Sequence, residues 1–236
     1  MTQVLHKAGT RGLADYGWLH SQHSFSFGNY HNPERMGFGL LRVINDDIVK
    51  PALGFDTHPH ENMEIISIPL CGSLRHQDSM GNQHIISAGE VQVMSAGTGV
   101  THSEYNNSAE VDVNFLQIWV LPKERNIAPR YGQQRFEIAD RKNRFQTLVS
   151  PEKRSMGIWI NQLAWFSLAS LNADASISYQ KHSAENGVYC FVTDGQLAVA
   201  GQELDRRDGV GLTGGEQLQI VAHSQSELLC IEVPMQ

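Results

Sequence analysis

Cysteine is scarce in this chain: Cys71, Cys190 and Cys230 are the three present in 236 residues. An odd number at wide spacing gives neither a disulfide framework nor a thiolate knuckle for a structural metal. Each sits in an apolar run, where a buried free thiol is expected. Positive charge is also short, with 18 Lys and Arg against 25 Asp and Glu, a net charge of −7. The mildly basic stretches "RNIAPR" and "DRKNR" read as solvated loop charge, which disfavours direct binding to nucleic acid or to an anionic membrane. No apolar run approaches the length of a membrane span, and the opening segment "MTQVLHKAGTRG" has no apolar core of a signal peptide. Low-complexity tracts and long helical periodicity are missing as well. These absences lead to the expectation of a reduced, cytoplasmic protein with neither membrane nor nucleic acid as partner.

What the chain does have is a succession of short segments rich in β-branched and aromatic residues, punctuated by Gly, Asn, Asp and Pro. "GFGLLRVI", "EIISIPL", "SLRHQ", "QHIIS", "EVQVMSA", "VNFLQIWVL", "GVYCFVT", "QLAVAG", "QLQIVA" and "ELLCIEV" are such segments. Strands of this length and spacing predict an all-β sandwich or barrel. "DSMGNQ" reads as a hairpin turn in which Gly81 and Asn82 take the positive-φ positions. "PERMG" and "ERNIAPRYG" each have room for a single helical turn. The chain also reads as two copies of one plan. "EIISIPLCGSLRH" followed by "ISAGEVQVMSAGTGVTHSE" is answered by "VYCFVTDGQLAVAG" followed by "DRRDGVGLTGGEQLQIVAHS". The proline-containing "PKERNIAPRYGQQ" between them is the expected linker, giving domains 1–126 and 127–236.

The stretch "GFDTHPHENMEII", Gly54 to Ile66, places His58 and His60 two residues apart. Side chains alternate faces along a strand, so these imidazoles share one face. Pro59 between them lacks an N–H and belongs at a sheet edge or an unpaired ladder position. "GTGVTHSEYN" repeats the spacing with His102 and Glu104. Either pair alone is a common coincidence; both together point to a metal. If the two strands are neighbours, three imidazoles and a carboxylate surround one ion. That set suits iron, nickel, manganese, copper or zinc, and with no cysteine ligand it is not a structural zinc site. Four protein ligands leave an octahedral ion two positions for substrate, water or dioxygen.

Glu64 shares the parity of His58 and His60. It reads as a fifth ligand, a group that orients an imidazole, a base beside the open positions, or a rim carboxylate bonded to backbone. His76 and His84 flank the hairpin turn, and His76 is the better pocket candidate. His20, His23 and His31 lie in an aromatic segment expected to pack a surface or cover a pocket mouth. His182 and His223 read as structural or exposed.

Assembled, these motifs resemble the pirin family of bicupins. "HSFSFGNYHNPERMGFGLLRVINDD" resembles the family's N-terminal signature, "THPHENMEI" its first metal motif and "SAGTGVTHSEYN" its second. The resemblance spans the chain and is specific mainly in residues 16–122. It implies an all-β bicupin of two cupin-type double-stranded β-helix barrels, with metal ligands on His58, His60, His102 and Glu104. The general cupin pattern takes a glutamate from the first motif, which would be Glu64. Pirins resemble a variant that uses the second motif's carboxylate, which places Glu64 outside the ligand set. In the second copy the positions matching His58 and His60 are Lys181 and Ser183, so residues 127–236 are expected to be metal-free.

The resemblance implies two function classes. One is a quercetin 2,3-dioxygenase, opening the central ring of a flavonol with O2 and releasing carbon monoxide. There, Glu104, or Glu64 behind it, would receive the proton of the flavonol 3-hydroxyl. Phe25, Phe27, Tyr30, Phe38 and Trp119 are the candidates for an aromatic mouth, and are equally credible as core. The other class is a non-catalytic, metal-dependent binding protein acting through a protein partner. Fe(II) is the first expectation for the ion, and Ni, Mn, Cu and Zn suit the same ligands.

Overall fold

A computed structural model of the chain describes residues 1–153 and 156–236. Three short strands lead in: β1 (Thr2–His6), β2 (Gly12–Asp15) and β3 (Leu19–His23). Eight follow as a first unit: β4 (Leu41–Val49), β5 (Gly54–His60), β6 (Glu64–Cys71), β7 (Ser73–Asp78), β8 (Gln83–Ser87), β9 (Glu90–Ser95), β10 (Val100–Asn106) and β11 (Val113–Val120). After β12 (Arg130–Arg135), β13 (Gln146–Ser150) and β14 (Ile158–Trp159) the pattern repeats. The second unit is β15 (Trp165–Leu171), β16 (Ser176–Gln180), β17 (Gly187–Asp194), β18 (Leu197–Val199), β19 (Gln202–Leu204), β20 (Gly209–Thr213), β21 (Gln217–Ala222) and β22 (Ser226–Val233).

The pairing makes the repeat explicit. A four-stranded sheet β5-β10-β7-β8 is matched by β16-β21-β18-β19, and β9-β6-β11-β4 within one seven-stranded sheet is matched by β20-β17-β22-β15 within the other. Each unit is therefore a barrel of one small and one large sheet. Single helical turns do occur, but at Ala8–Thr10 and Ile138–Arg141, not in "PERMG" or "ERNIAPRYG". The stretch expected as a linker is partly strand: β12 lies along β9 and extends the first unit's large sheet past residue 126. Conversely β1, from the start of the chain, lies along β20 in the second unit. At the β7–β8 hairpin Gly81 takes a positive φ of 91° and Asn82 does not. The Asp78 carboxylate secures that turn instead, accepting the N–H groups of Met80 at 2.9 Å and Asn82 at 3.0 Å. Cys71, expected buried, is exposed at the end of β6 beside the Gly72 turn, while Cys190 and Cys230 are buried.

The two seven-stranded sheets face each other, and their facing rows form the largest core. Leu41, Ile44, Ile66, Leu116 and Ile118 of the first unit meet Phe166, Tyr189, Phe191, Leu229 and Ile231 of the second in one cluster. Full burial of each such side chain contributes about 1.5–3 kcal/mol. Phe25 and Phe38 join this core against Tyr189, with ring centroids at 5.4 and 5.7 Å. A Cβ on Gly211 would stand 2.5 Å from the Phe38 ring, so glycine is what lets Phe38 seat there.

The opposite face of each large sheet lines its own barrel, and there the units diverge. The second barrel holds one continuous apolar cluster, including Leu171, Cys190, Val199, Leu212, Ile220 and Cys230. In the first, apolar side chains gather in two separate groups, around Leu74 and Phe115 and around Ile65 and Met94. Between them runs a polar row in strand register: His23, Asn45, Gln117, Ser67 and Gln92, on β3, β4, β11, β6 and β9.

In the second barrel the fully buried Glu232 forms a polar centre. Its carboxylate accepts the Tyr179 hydroxyl (3.0 Å), the His182 and Ser183 N–H groups (3.0 Å each) and the Asn186 carboxamide (2.9 Å), and it meets His182 Nδ1 at 3.0 Å. Burial raises its pKa, but these donors outweigh burial and hold it below the ordinary carboxylate range. A depressed folded-state pKa adds stability above the unfolded value, about 4.3, and loses it as pH falls through the folded value. Replacing Glu232 with Gln is expected to cost about 3 kcal/mol at pH 7. The loss of stability between pH 5 and pH 3 should also be smaller in that variant. Urea unfolding of both proteins across this range is the check; an unchanged midpoint at pH 7 would contradict the role of Glu232.

Candidate metal centre

β5 is the edge strand of the small sheet, so Pro59 costs no ladder hydrogen bond. β10 lies between β5 and β7. His102 faces His58 on one side and Asp78 on the other, while Glu104 faces His76. Directly opposed residues share a face of the sheet, so all of these side chains point into the barrel. A β-bulge in the β5–β10 ladder between His102 and Glu104 shifts the register, bringing Phe55 opposite Glu104. Gly54 permits the close approach: a Cβ there would stand 2.3 Å from the Glu104 carbonyl oxygen.

Ligand-type atoms of His58, His60 and His102 lie within 4.8 Å of one another, as do those of His76, His102 and Glu104. Ring centroids of His58 and His60 are 4.8 Å from each other and 4.5 and 5.0 Å from His102. Burial, followed by the neighbouring imidazoles, lowers the pKa of His60 to about 4 and of His102 to about 3. Both rings are therefore neutral near pH 7, with lone pairs free for a cation. The Asp56 carbonyl accepts a hydrogen bond from His58 Nδ1 at 2.8 Å, which leaves Nε2 as the free lone pair.

Glu104 is 1% exposed and has no ion-pair partner among the described residues. Ser67 Oγ donates to its Oε1 at 2.9 Å and Gln117 Nε2 to its Oε2 at 2.6 Å, while Gln92 in turn donates to Ser67 Oγ at 3.3 Å. Neither ring nitrogen of the buried His102 has a hydrogen-bond partner. Neutral imidazoles with unpartnered nitrogens beside a buried carboxylate form a donor set that a divalent first-row cation fits.

Glu64 does not join this group. It is buried, and its Oε2 accepts from Ser95 Oγ at 2.8 Å and from the Asn161 N–H at 3.1 Å, linking the first unit to the second. Burial raises its pKa to about 7 against those two donors. The parity count from His60 fails because β5 ends there, and Asn62, at φ 49°, turns the chain before β6 begins. His76, in contrast, is fully buried beside His102, with ring centroids 5.4 Å apart, and its Nε2 meets the Asp78 carboxylate at 3.1 Å. Its inward direction follows from its pairing with Glu104, which sequence spacing alone does not reveal.

The remaining histidines divide. His84 stacks on Tyr131, His20 lies 3.7 Å from Asp15, and His31 is exposed. His182 serves Glu232, and His223 pairs with Glu203 at 2.9 Å. In the second unit the Lys181 ammonium donates to the Ala184 carbonyl at 2.8 Å, and the Ser183 N–H is one of the Glu232 donors.

A cavity of about 350 Å³ opens onto His58, His60 and Glu104. Of the five aromatic candidates, Phe27 and Trp119 line it; Phe25 and Phe38 are core, and Tyr30 packs near His23. Trp119 sets its edge against His60 at 5.0 Å and against Phe27 at 5.2 Å. Tyr16, Trp18 and Phe55, which spacing did not single out, complete the aromatic wall. Asp47 also lines the cavity; burial raises its pKa to about 7, although the Ser21 hydroxyl donates to it.

Comparison with known proteins places both halves. Residues 4–120 match the pirin family model, and residues 147–233 match the quercetinase C-terminal cupin domain. A quercetin 2,3-dioxygenase of Escherichia coli K12 is 42% identical over 231 residues, 98% of each chain. A pirin-like protein of Caulobacter vibrioides is 39% identical over 222 residues, 94% of this chain and 95% of its own. The crystal structure of a bacterial pirin from Escherichia coli in complex with nickel(II) superposes with a TM-score of 0.93 at 40% identity, covering 99% of each chain.

His102 belongs to both groups of donors, so His102→Ala is expected to abolish stoichiometric divalent metal while the thermal transition of a folded protein persists. Because protons compete for His60 and His102 only near their lowered pKa values, metal held by these two rings should be retained at pH 6 and released toward pH 4. Metal analysis after gel filtration at each pH checks both outcomes; full metal in His102→Ala would overturn the assignment.

Proposed function

The chain belongs to the pirin family, with a cupin domain in each half, and from that premise we propose a metal-dependent dioxygenase that cleaves quercetin-like flavonols with O2 and releases carbon monoxide. The observation that carries this reading is that His102 groups with His58 and His60 on one side and with Glu104 on the other, beside an aromatic-walled cavity onto which His58, His60 and Glu104 open. We assign these four as ligands of one divalent ion, with Fe(II) as the first expectation and nickel, which a bacterial relative binds, as the second. The ion, when bound, supplies a Lewis acid that favours the deprotonated form of a substrate hydroxyl.

The protein's own part is positional and electrostatic. Glu104 would accept the proton of the reacting hydroxyl on a carboxylate oxygen. Ser67 and Gln117 fix both oxygens of that carboxylate, so it is aimed before substrate arrives. Trp119 and Phe27 form a rigid edge-to-face wall beside His60, against which a flat ring lies while water is excluded. Glu64 is assigned no part in the reaction; it ties Ser95 to Asn161 across the two units. No helix among the described residues is long and apolar enough to cross a membrane, and we place the reaction in the cytoplasm.

Glu104→Gln keeps the shape and an oxygen donor but removes charge and basicity. In protein reloaded with metal, this variant is expected to lose turnover by roughly 100-fold or more beyond any loss of metal, and the unaltered protein should release carbon monoxide from quercetin in air. Absence of quercetin consumption by fully iron-, nickel- or manganese-loaded protein would overturn the enzyme reading in favour of a binding protein acting through a protein partner. Unchanged turnover in metal-replete Glu104→Gln would remove Glu104 as the base.

A further inference from the structure

The cavity has a second polar end that the metal chemistry does not use. On β3 and β4, Ser21 is paired with Asp47 and His23 with Asn45, so these four side chains share one face of the sheet. All four line the cavity among aromatic side chains and are buried: Ser21 is 2% exposed, His23 4%, Asn45 3% and Asp47 3%. His23 Nδ1 and Asn45 Oδ1 have no hydrogen-bond partner. Folded proteins satisfy nearly all buried polar groups, so a pair left open on a cavity wall calls for a ligand.

The chemistry of that wall narrows what it takes. Among the described residues no Lys or Arg lines the cavity, so an anionic end such as a carboxylate or phosphate finds no counter-charge there. Asp47 adds an acceptor, oriented by the Ser21 hydroxyl. Acceptors and a carboxamide without cations suit neutral hydroxyl groups. The flanking rings suit a flat ring to carry them, with Trp18 edge-on to Phe55 at 5.2 Å. Position fits as well. Gln117, which holds Glu104, is in register with Asn45, and Asn45 with His23. The wall thus extends two strand spacings, roughly 10 Å, from the Glu104 anchor, the span of a fused two-ring aromatic.

We propose that His23, Asn45 and Asp47 form a subsite for ring hydroxyl groups remote from the metal, and that it selects polyhydroxylated flavonols over flavonols without ring hydroxyls. The subsite rests on the flavonol reading above. Its effect is on binding of one end of the substrate, so it appears in affinity and KM more than in kcat.

The test uses the full chain loaded with metal and kept free of oxygen, titrated with quercetin and with 3-hydroxyflavone, which carries the hydroxyl next to the carbonyl and no others. Quercetin is expected to bind about 10-fold tighter or more, because a site built for hydroxyls discriminates against the analogue lacking them. In Asn45→Leu and in Asp47→Asn, checked for full metal content and an intact thermal transition, the quercetin to 3-hydroxyflavone ratio should fall toward one. The ligand pair on the unaltered protein decides the question even if a variant fails to fold. Equal affinities there, or a ratio that survives in both folded variants, would overturn the subsite and leave the flavonol reading standing. Binding of neither compound would overturn the flavonol reading, and the subsite with it.

Discussion

A closed β-barrel with polar side chains inside must satisfy them there, and the first unit is organised around that demand. Glu104 is buried with no countercharge bonded to it among the described residues; Ser67 and Gln117 bond its two oxygens and Gln92 supports Ser67. Leaving one such buried group unsatisfied costs about 1–3 kcal/mol, comparable with a full aliphatic side chain of burial. The polar row that results divides the barrel's apolar interior into two small clusters. Stability is recovered outside the barrel, where the two large sheets share the most extensive core in the molecule. A functional interior in one unit is thus underwritten by packing between units.

The second unit shows what the same sheet does without that demand. Ser67 and Gln117 are paired on β6 and β11; Cys190 and Cys230 are paired at the corresponding positions of β17 and β22, with sulfurs 3.6 Å apart. Gln92 faces Ser67, whereas Val210 faces Cys190. Trp119 and Glu232 are each the penultimate residue of their strands. A hydroxyl, two carboxamides and a tryptophan create a ligand chamber in one case. Two thiols, a valine and a fully bonded glutamate fill the other. The backbone is shared, and the interior rows decide which barrel is hollow.

The alternation of a strand is local, so what depended on it was legible. His58 with His60 and His102 with Glu104 could be paired from spacing, and a two-copy plan could be read from the matching stretches, though not its eight strands per unit. What depended on chain reversal or on partners in other strands was not. Asn62 turns the backbone between His60 and Glu64, and a parity count cannot cross a left-handed residue. His76 reaches the site because β7 lies beside β10, and Asn45 because β4 lies beside β11. Phe25 and Phe27 are two residues apart in one aromatic segment, yet one packs between the units and the other walls the cavity. The supposed linker contains β12 because its "RYGQQR" finds an unpaired edge of β9, which no local propensity announces.

The pairing of β1 with β20 carries a consequence for how the molecule is made. Thr2–His6 is synthesised before both units, but its partner Gly209–Thr213 follows some 200 residues later. At about 5–20 residues per second the first strand waits roughly 10–40 s for its backbone ladder partner. The first unit, by contrast, has its own closing strand β12 a few residues after β11 and can assemble while synthesis continues. If the first unit closes before the second is made, its barrel is complete while the five-residue β1 is still unpaired and the large sheet's core face is bare. That interval, more than the finished fold, is where this chain is most exposed to misassociation and most dependent on chaperones.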